Sequence, residues 1–274
     1  MVKIKNKEEI KIMREGGQKL ARILDEVAKA VKPGVTTEEL EKIAMRLIKT
    51  AGGRPSFKGL AMYNRKRFPT ALCTSINDEI VHAPAFPARV LKAGDIIGID
   101  VGMEYPLTSK KTSQEYNRYS KRGGYFTDMA ITLPVGEVCA DIKKLISTTK
   151  QSLYLGIKEA RAGKKLGNIG KAIQKFVESQ GYAVVRELVG HGVGHEVHEE
   201  PQVLNYAVKN GGEDDIELKP GMVLAIEPMV NIGSWHALAA PDGFTIVTKD
   251  GKLSVHFEHT VAVTEDGPIV LTAL

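Results

Sequence analysis

A chain of 274 residues, 43% hydrophobic and 26% charged, holds enough apolar material for one large domain or two small ones without covalent staples. Its two cysteines, Cys73 and Cys139, are too few for a disulfide framework and form no C-x-x-C pair, which points to a reduced, cytoplasmic protein. The opening Met1-Val2-Lys3-Ile4-Lys5-Asn6-Lys7 has neither the apolar core nor the cleavage site of a secretory signal. No stretch approaches the ~20 apolar residues that span a bilayer. The net charge of +5 has two local sources. One is Arg65-Lys66-Arg67; the other is the segment from Met103 to Thr127, where Lys110, Lys111, Arg118, Lys121 and Arg122 outnumber Glu104 and Glu115. Such clusters suit an anionic neighbour such as nucleic acid or a ribosome, but the simpler reading is a solvated loop kept soluble by its charges.

The elements follow in order. Ile10, Met13, Gly17, Leu20, Leu24, Val27 and Val31 recur at helical spacing, and Lys32-Pro33-Gly34 stops the run. Thr37 is expected to cap a second helix, with Leu40, Ile43, Leu47 and Ile48 on one face and Gly52-Gly53 at its end. A Gly turn then leads into the apolar strand Ile96-Ile-Gly-Ile, ending at Asp100. Tyr125-Phe-Thr-Asp128 opens an alternating strand to Leu133. Between them, the 103–127 segment reads as an insertion at the rim of whatever site the two acids serve.

The pattern then returns. Ile142, Leu145, Ile146, Leu153, Ile157 and Ala160 form a third helical stripe, halted near Gly163, and Ile169, Ile173, Phe176 and Val177 a fourth, ending at Gly181. Aligning the halves, roughly 10–135 and 140–265, sets Gly34 on Gly163 and Gly52 on Gly181. Lys92-Ala-Gly-Asp-Ile-Ile-Gly-Ile-Asp100 then falls on Lys219-Pro-Gly-Met-Val-Leu-Ala-Ile-Glu227. Asp128 matches Glu258, which begins the alternating run Glu258-His-Thr-Val-Ala-Val-Thr264. The expectation is a single catalytic domain over 1–274 of α+β class. Its pseudo-symmetric halves would carry antiparallel strands in two sheets, covered by helices on the outer face.

Four acids at matched places in apolar strands are expensive unless paired or metal-bound. The glycine-flanked His191 in Val189-Gly-His191-Gly-Val-Gly-His195-Glu-Val-His198 supplies an imidazole. His195 and His198 are three apart, so the H-E-x-x-H spacing fails. Four carboxylates and one imidazole make a mainly hard-oxygen shell for two divalent ions, Co, Mn, Fe(II) or Zn. A hydroxide between two such ions attacks a carbonyl or a phosphoryl group, and spacing alone does not choose.

The order Asp100, Asp128, His191, Glu227, Glu258 resembles that of the methionine aminopeptidases of the pita-bread fold, and so do the phrases Ser75-Ile-Asn77 before His82, His198-Glu-Glu-Pro201, Ile226-Glu227-Pro-Met229 and Glu258-His-Thr260. The resemblance runs from Lys7 to the last strand and is to the short, type I form. It implies removal of initiator methionine from the N-termini of nascent polypeptides, by a monomer. Asp100 would chelate one metal, His191 and Glu227 the other, and Asp128 and Glu258 would bridge both. Glu227 would also act as general base. His198 would stabilise the tetrahedral intermediate, His82 would contact the substrate backbone, and Phe68, Cys73 and Phe244 would form the methionine pocket. Departures from the pattern are the long interval between Asp100 and Asp128, Phe244 in place of a frequent tryptophan, Val197 in place of an aromatic, and Met129 in place of a small hydroxyl residue. Rival implications are an Xaa-Pro peptidase of the same fold and a non-catalytic peptide- or RNA-binding module.

Overall fold

The structure, a computed structural model, describes residues 1–61, 66–107, 124–208 and 215–274. In the first half come α1 (Lys7–Lys29), α2 (Thr37–Thr50), β1 (Arg54–Pro55), β2 (Leu72–Ile76), β3 (Glu79–Val81), β4 (Ile96–Tyr105) and β5 (Tyr125–Pro134). The second half has α3 (Ala140–Glu159), α4 (Gly167–Ser179), β6 (Ala183–Val184), β7 (Gly190–Gly192), β8 (Glu199–Val203), β9 (Val223–Ile226) and β10 (Met229–Asn231). Then follow β11 (Ala237–Ala239), β12 (Ile246–Thr248), β13 (Ser254–His256), β14 (Glu258–Thr264) and β15 (Gly267–Val270). Among the described residues no helix is long and apolar enough to cross a membrane.

Both helices of the first half start in capping boxes. The Asn6 side chain accepts from Glu9 N at 3.0 Å, and the Glu9 carboxylate accepts from Asn6 N at 2.8 Å. At α2 the cap is Thr36 and not Thr37: Thr36 and Glu39 exchange the reciprocal bonds. Thr37 is buried, and its hydroxyl donates to Ala85 O at 2.8 Å and accepts from Arg89 N at 3.1 Å. Two adjacent threonines look alike in sequence; only the glutamate three residues on selects the first. The helices end where expected, and the glycine after each second helix is left-handed, with φ 80° at Gly52 and 85° at Gly181.

The halves share one antiparallel nine-stranded sheet of order β1-β4-β5-β14-β9-β7-β8, with β2 on β4 and β15 on β14, and two three-stranded sheets, β13-β10-β6 and β11-β12-β3, accompany it. The join is the pairing of β5 with β14, where Glu258 faces Ala130 and His259 faces Met129. The acid-bearing strands therefore lie in the order Asp100, Asp128, Glu258, Glu227, which a twofold relation between the halves would produce. Strand alternation sorts the two faces. Ile97, Ile99, Val101 and Met103 of β4 pack with Leu20, Leu24 and Leu40 of the first helix pair. Leu224, Ile226, Val261 and Val263 pack with Leu153, Ile169 and Ile173 of the second pair. The intervening residues, Asp100, Asp128 and Glu258 among them, belong to the opposite face.

The insertion is shorter than its sequence suggests. Met103–Tyr105 pair with Thr127–Tyr125 as a continuation of the β4–β5 ladder, and Met103 is fully buried. Lys110, Lys111, Arg118, Lys121 and Arg122, like Arg65, lie outside the described residues.

Candidate metal centre

The helix-free face of the sheet opens on a cavity of about 540 Å³. Asp100, Asp128, His191, Glu227 and Glu258 all line it, as do His82, His198, Phe68 and Cys73. Asp100 lies within β4 and not at its end, since the strand runs on to Tyr105. Asp128 is fixed at both backbone atoms by Thr260, whose hydroxyl accepts from Asp128 N and donates to Asp128 O, each at 2.8 Å. Glu227 follows β9, and its carbonyl accepts from Asn205 Nδ2 at 3.1 Å. His191 is the centre of β7. The glycines beside it serve backbone approach: a Cβ on Gly190 would lie 2.3 Å from Ala225 O, and one on Gly192 2.3 Å from Glu200 O. These contacts draw β7 between β8 and β9 and deliver the imidazole to the acids.

The donors converge. Single ligand atoms of Asp128, His191 and Glu258 lie within 4.8 Å of one another. His191 Nε2 is 3.5 Å from Glu227 Oε1. Asp100 and Asp128 interact side chain to side chain. Three carboxylate oxygens, Asp100 Oδ1, Asp128 Oδ1 and Glu258 Oε1, are buried without a hydrogen-bond partner. Native proteins leave few such atoms, because each costs about 1–3 kcal/mol or more when charged. The electrostatics agree. Burial, and then the neighbouring acids, holds the carboxyls of Asp100, Glu227 and Glu258 well above their ordinary range. Burial pushes Asp128 up to about 7. The same burial lowers His191 to about 4, keeping the imidazole neutral and able to ligate. Orphaned oxygens crowded around a neutral imidazole are a donor set that divalent cations satisfy, so the residues fit a metal.

Around this set the structure places the other predicted residues unevenly. His82 follows β3 with φ 61°, a left-handed conformation that is uncommon outside glycine and costs of the order of 1–3 kcal/mol. The His198 ring meets the His191 ring edge-on at 4.5 Å. Cys73 pairs with Asp100 across β2 and β4, and burial and the adjacent acids keep its thiol protonated. Phe68 stands in the cavity wall with Phe57 and Leu60. Phe244 is not among the lining residues; it packs edge-on against Phe68 at 5.8 Å. Val197 likewise sits in the apolar cluster behind the wall.

Sequence reasoning passed over His256. It is 4% exposed, with Nε2 unpartnered and 3.8 Å from Glu227 Oε2. Its backbone is held by Thr132, which donates to His256 O at 2.8 Å and accepts from His256 N at 3.0 Å. Its spacing of two from Glu258, in strand-rich sequence, was the available clue.

Comparison with known proteins places this geometry. The profile of metallopeptidase family M24 matches residues 11–113 and 118–265. The chain is 47% identical to methionine aminopeptidase 1 of Bacillus subtilis, over 99% of both chains. The crystal structure of a methionine aminopeptidase from Thermotoga maritima superposes with a TM-score of 0.88 at 38% identity, over the whole of both chains. A prolidase from Pyrococcus horikoshii shares the fold at a TM-score of 0.72 and 20% identity, and 63% of that chain is covered.

Proposed function

The chain belongs to metallopeptidase family M24, and on that premise we propose that its cavity is a dinuclear centre that hydrolyses the first peptide bond of nascent polypeptides. Its activity is the removal of N-terminal methionine, as in the full-length relatives named for it. Five donor residues line one cavity around orphaned carboxylate oxygens, and this supports the reading most directly.

Asp128 and Glu258 lie on the paired central strands β5 and β14, which suits a bridging role. Asp100 would hold one ion from the first half, and His191 and Glu227 the other from the second. When bound, the ions supply Lewis-acid activation of the scissile carbonyl and of the attacking water. Glu227 takes the proton of that water on its carboxylate and passes it to the leaving amine. Of its two oxygens, Oε1 faces His191 and Oε2 faces His256. His198, at the cavity wall beside His191, donates to the oxygen that gains charge as the carbonyl becomes tetrahedral. His82 orients the substrate backbone. Phe57, Leu60, Phe68 and Cys73 bound the apolar pocket for the methionine side chain, with Phe244 stiffening Phe68 from behind.

The working form is a cytoplasmic monomer that meets chains as they leave the ribosome, and the basic 108–123 segment is its candidate contact there. Salt-sensitive co-sedimentation with ribosomes, lost when Lys110, Lys111, Arg118, Lys121 and Arg122 are neutralised, tests that contact. The activity test compares Met-Ala-Ser, Ala-Ala-Ser and Xaa-Pro peptides with dialysed enzyme and with Mn, Co, Fe(II) or Zn restored. Cleavage of Met-Ala-Ser alone, proportional to metal up to two ions per chain, is expected. Preferential Xaa-Pro cleavage would replace this reading.

A further inference from the structure

His198 is carried by the segment between the pairing residues of β7 and β8, and the opening arm of the chain grips that segment. Lys5 N donates to Gly221 O at 2.8 Å, seating the arm beside β9. The Lys5 ammonium then donates to Glu199 Oε2 at 2.5 Å and to Lys3 O at 3.2 Å. The other Glu199 oxygen accepts from Glu196 N at 2.9 Å, so one carboxylate ties the arm to both ends of the turn that holds His198. The Lys5 and Glu199 side chains are each 1% exposed. Lys3 pairs with Glu196, and Glu9 of α1 accepts from His195 Nε2 at 2.8 Å. At Gly194 a Cβ would lie 2.5 Å from Lys5 Cε, so the backbone closes directly on the lysine stem.

A buried ion pair is a weak source of stability, because neutral residues of similar shape often hold a fold as well. What the pair supplies is direction. The ammonium donates to Glu199 and to Lys3 O at once, which no apolar side chain reproduces. We propose that Lys5 and Glu199 form a positioning pair, locking the catalytic-site segment to the opening arm so that His198 is held at the reacting carbonyl. The proposal rests on the reading of His198 as the transition-state donor. Lys5 is not in the cavity lining, and Glu199, which is, has its side chain 1% exposed and turned to the ammonium, so both act through His198.

The test uses the full chain and Met-Ala-Ser, with variants K5M/E199Q, H198A and the triple combination. K5M/E199Q removes both charges but keeps the volume, and is expected to fold, to melt near the wild type and to keep its full metal content. Its kcat should fall by about 10–100-fold with KM within about twofold, the scale of a misplaced catalytic group. In the H198A background the same pair of changes should cost nothing further, since groups acting as one unit are not additive. E199Q alone, which keeps an acceptor for the ammonium, should retain more activity than E199A; this comparison serves if the double variant is unstable. Wild-type kcat in K5M/E199Q, an undiminished loss on top of H198A, or equal rates for E199Q and E199A would overturn the proposal. An H198A enzyme with unchanged kcat would instead refute the His198 reading itself, and that variant shows it independently of the pair.

Discussion

At the scale of single residues the centre is defined by what its oxygens lack. Asp128 Oδ1 and Glu258 Oε1 are buried and unpartnered, while Thr260 clamps the Asp128 backbone from below. Asp128→Ala or Glu258→Ala should therefore leave the fold intact, since each removes an unfavourable buried acid, yet abolish hydrolysis and lower the bound metal. Atomic absorption on the purified variants, beside the peptide assay, checks both. Full metal retention with activity lost in both variants would count against bridging. The five residues that meet in the cavity stand out in the sequence because each sits in a short apolar or glycine-bounded phrase. His256 does not stand out, because its place beside Glu227 comes from β13 lying against β10, a pairing that local sequence does not announce. Phe244 has a residue type that suits a pocket wall, and only the fold reveals that it packs edge-on against Phe68.

The elements show how the left-handed His82 is held. The loop after β3 places His82 in the left-handed region, which persists only where surrounding bonds over-determine it. Arg89 provides them. Its guanidinium donates to both Glu79 oxygens at 2.6 and 2.5 Å, to Thr74 O at 2.6 Å and to Pro84 O at 3.0 Å. It thus joins the start of β3, the middle of β2 and the far side of the His82 turn. Arg89→Met should destabilise the chain by roughly 1–3 kcal/mol, chiefly through the carbonyls left unpaired, with the half-exposed ion pair adding little. It should also raise KM for tripeptides more than it lowers kcat. Chemical denaturation and steady-state kinetics on the same preparation read both effects, and an unchanged KM would detach Arg89 from His82. Helical stripes and strand alternation made all four helices and the acid-bearing strands predictable. The sharing of one nine-stranded sheet by both halves was not, because it depends on β5 meeting β14, strands separated in sequence by the second helix pair. The insertion was overdrawn for a related reason. Nothing in the polar sequence after Asp100 reveals that Met103–Tyr105 and Tyr125–Thr127 extend a ladder.

For the whole molecule, the centre makes stability a function of pH and metal together. In the metal-free chain Asp128 is raised to about 7 by burial, and Asp100, Glu227 and Glu258 are raised as well. A carboxyl raised on folding contributes stability that is complete below its unfolded value near 4 and is lost as pH climbs through the folded value. For Asp128 that window runs from about 4 to 7. His191 and His256 are lowered by burial to about 4 and about 3. Their contribution is complete above about 6.5 and is lost as pH falls through those values. With His82 and His259 also lowered to about 4 by burial, the metal-free molecule is squeezed from both sides and should be most stable near pH 5. Bound cations require ionised carboxylates and neutral imidazoles, the forms favoured above that pH, and so relieve the penalty most where it is largest. The Tm of metal-loaded enzyme should exceed that of chelator-dialysed enzyme by an amount that grows from pH 5 to pH 8, by about 5 °C or more over that range. Differential scanning calorimetry at pH 5, 6.5 and 8, with Mn or Co restored, measures the gap. An Asp128→Asn chain, carrying no charge at that position, should show a metal-free Tm that falls less steeply with rising pH. If the gap were constant across the range, the buried carboxylates would not be the groups that metal binding discharges.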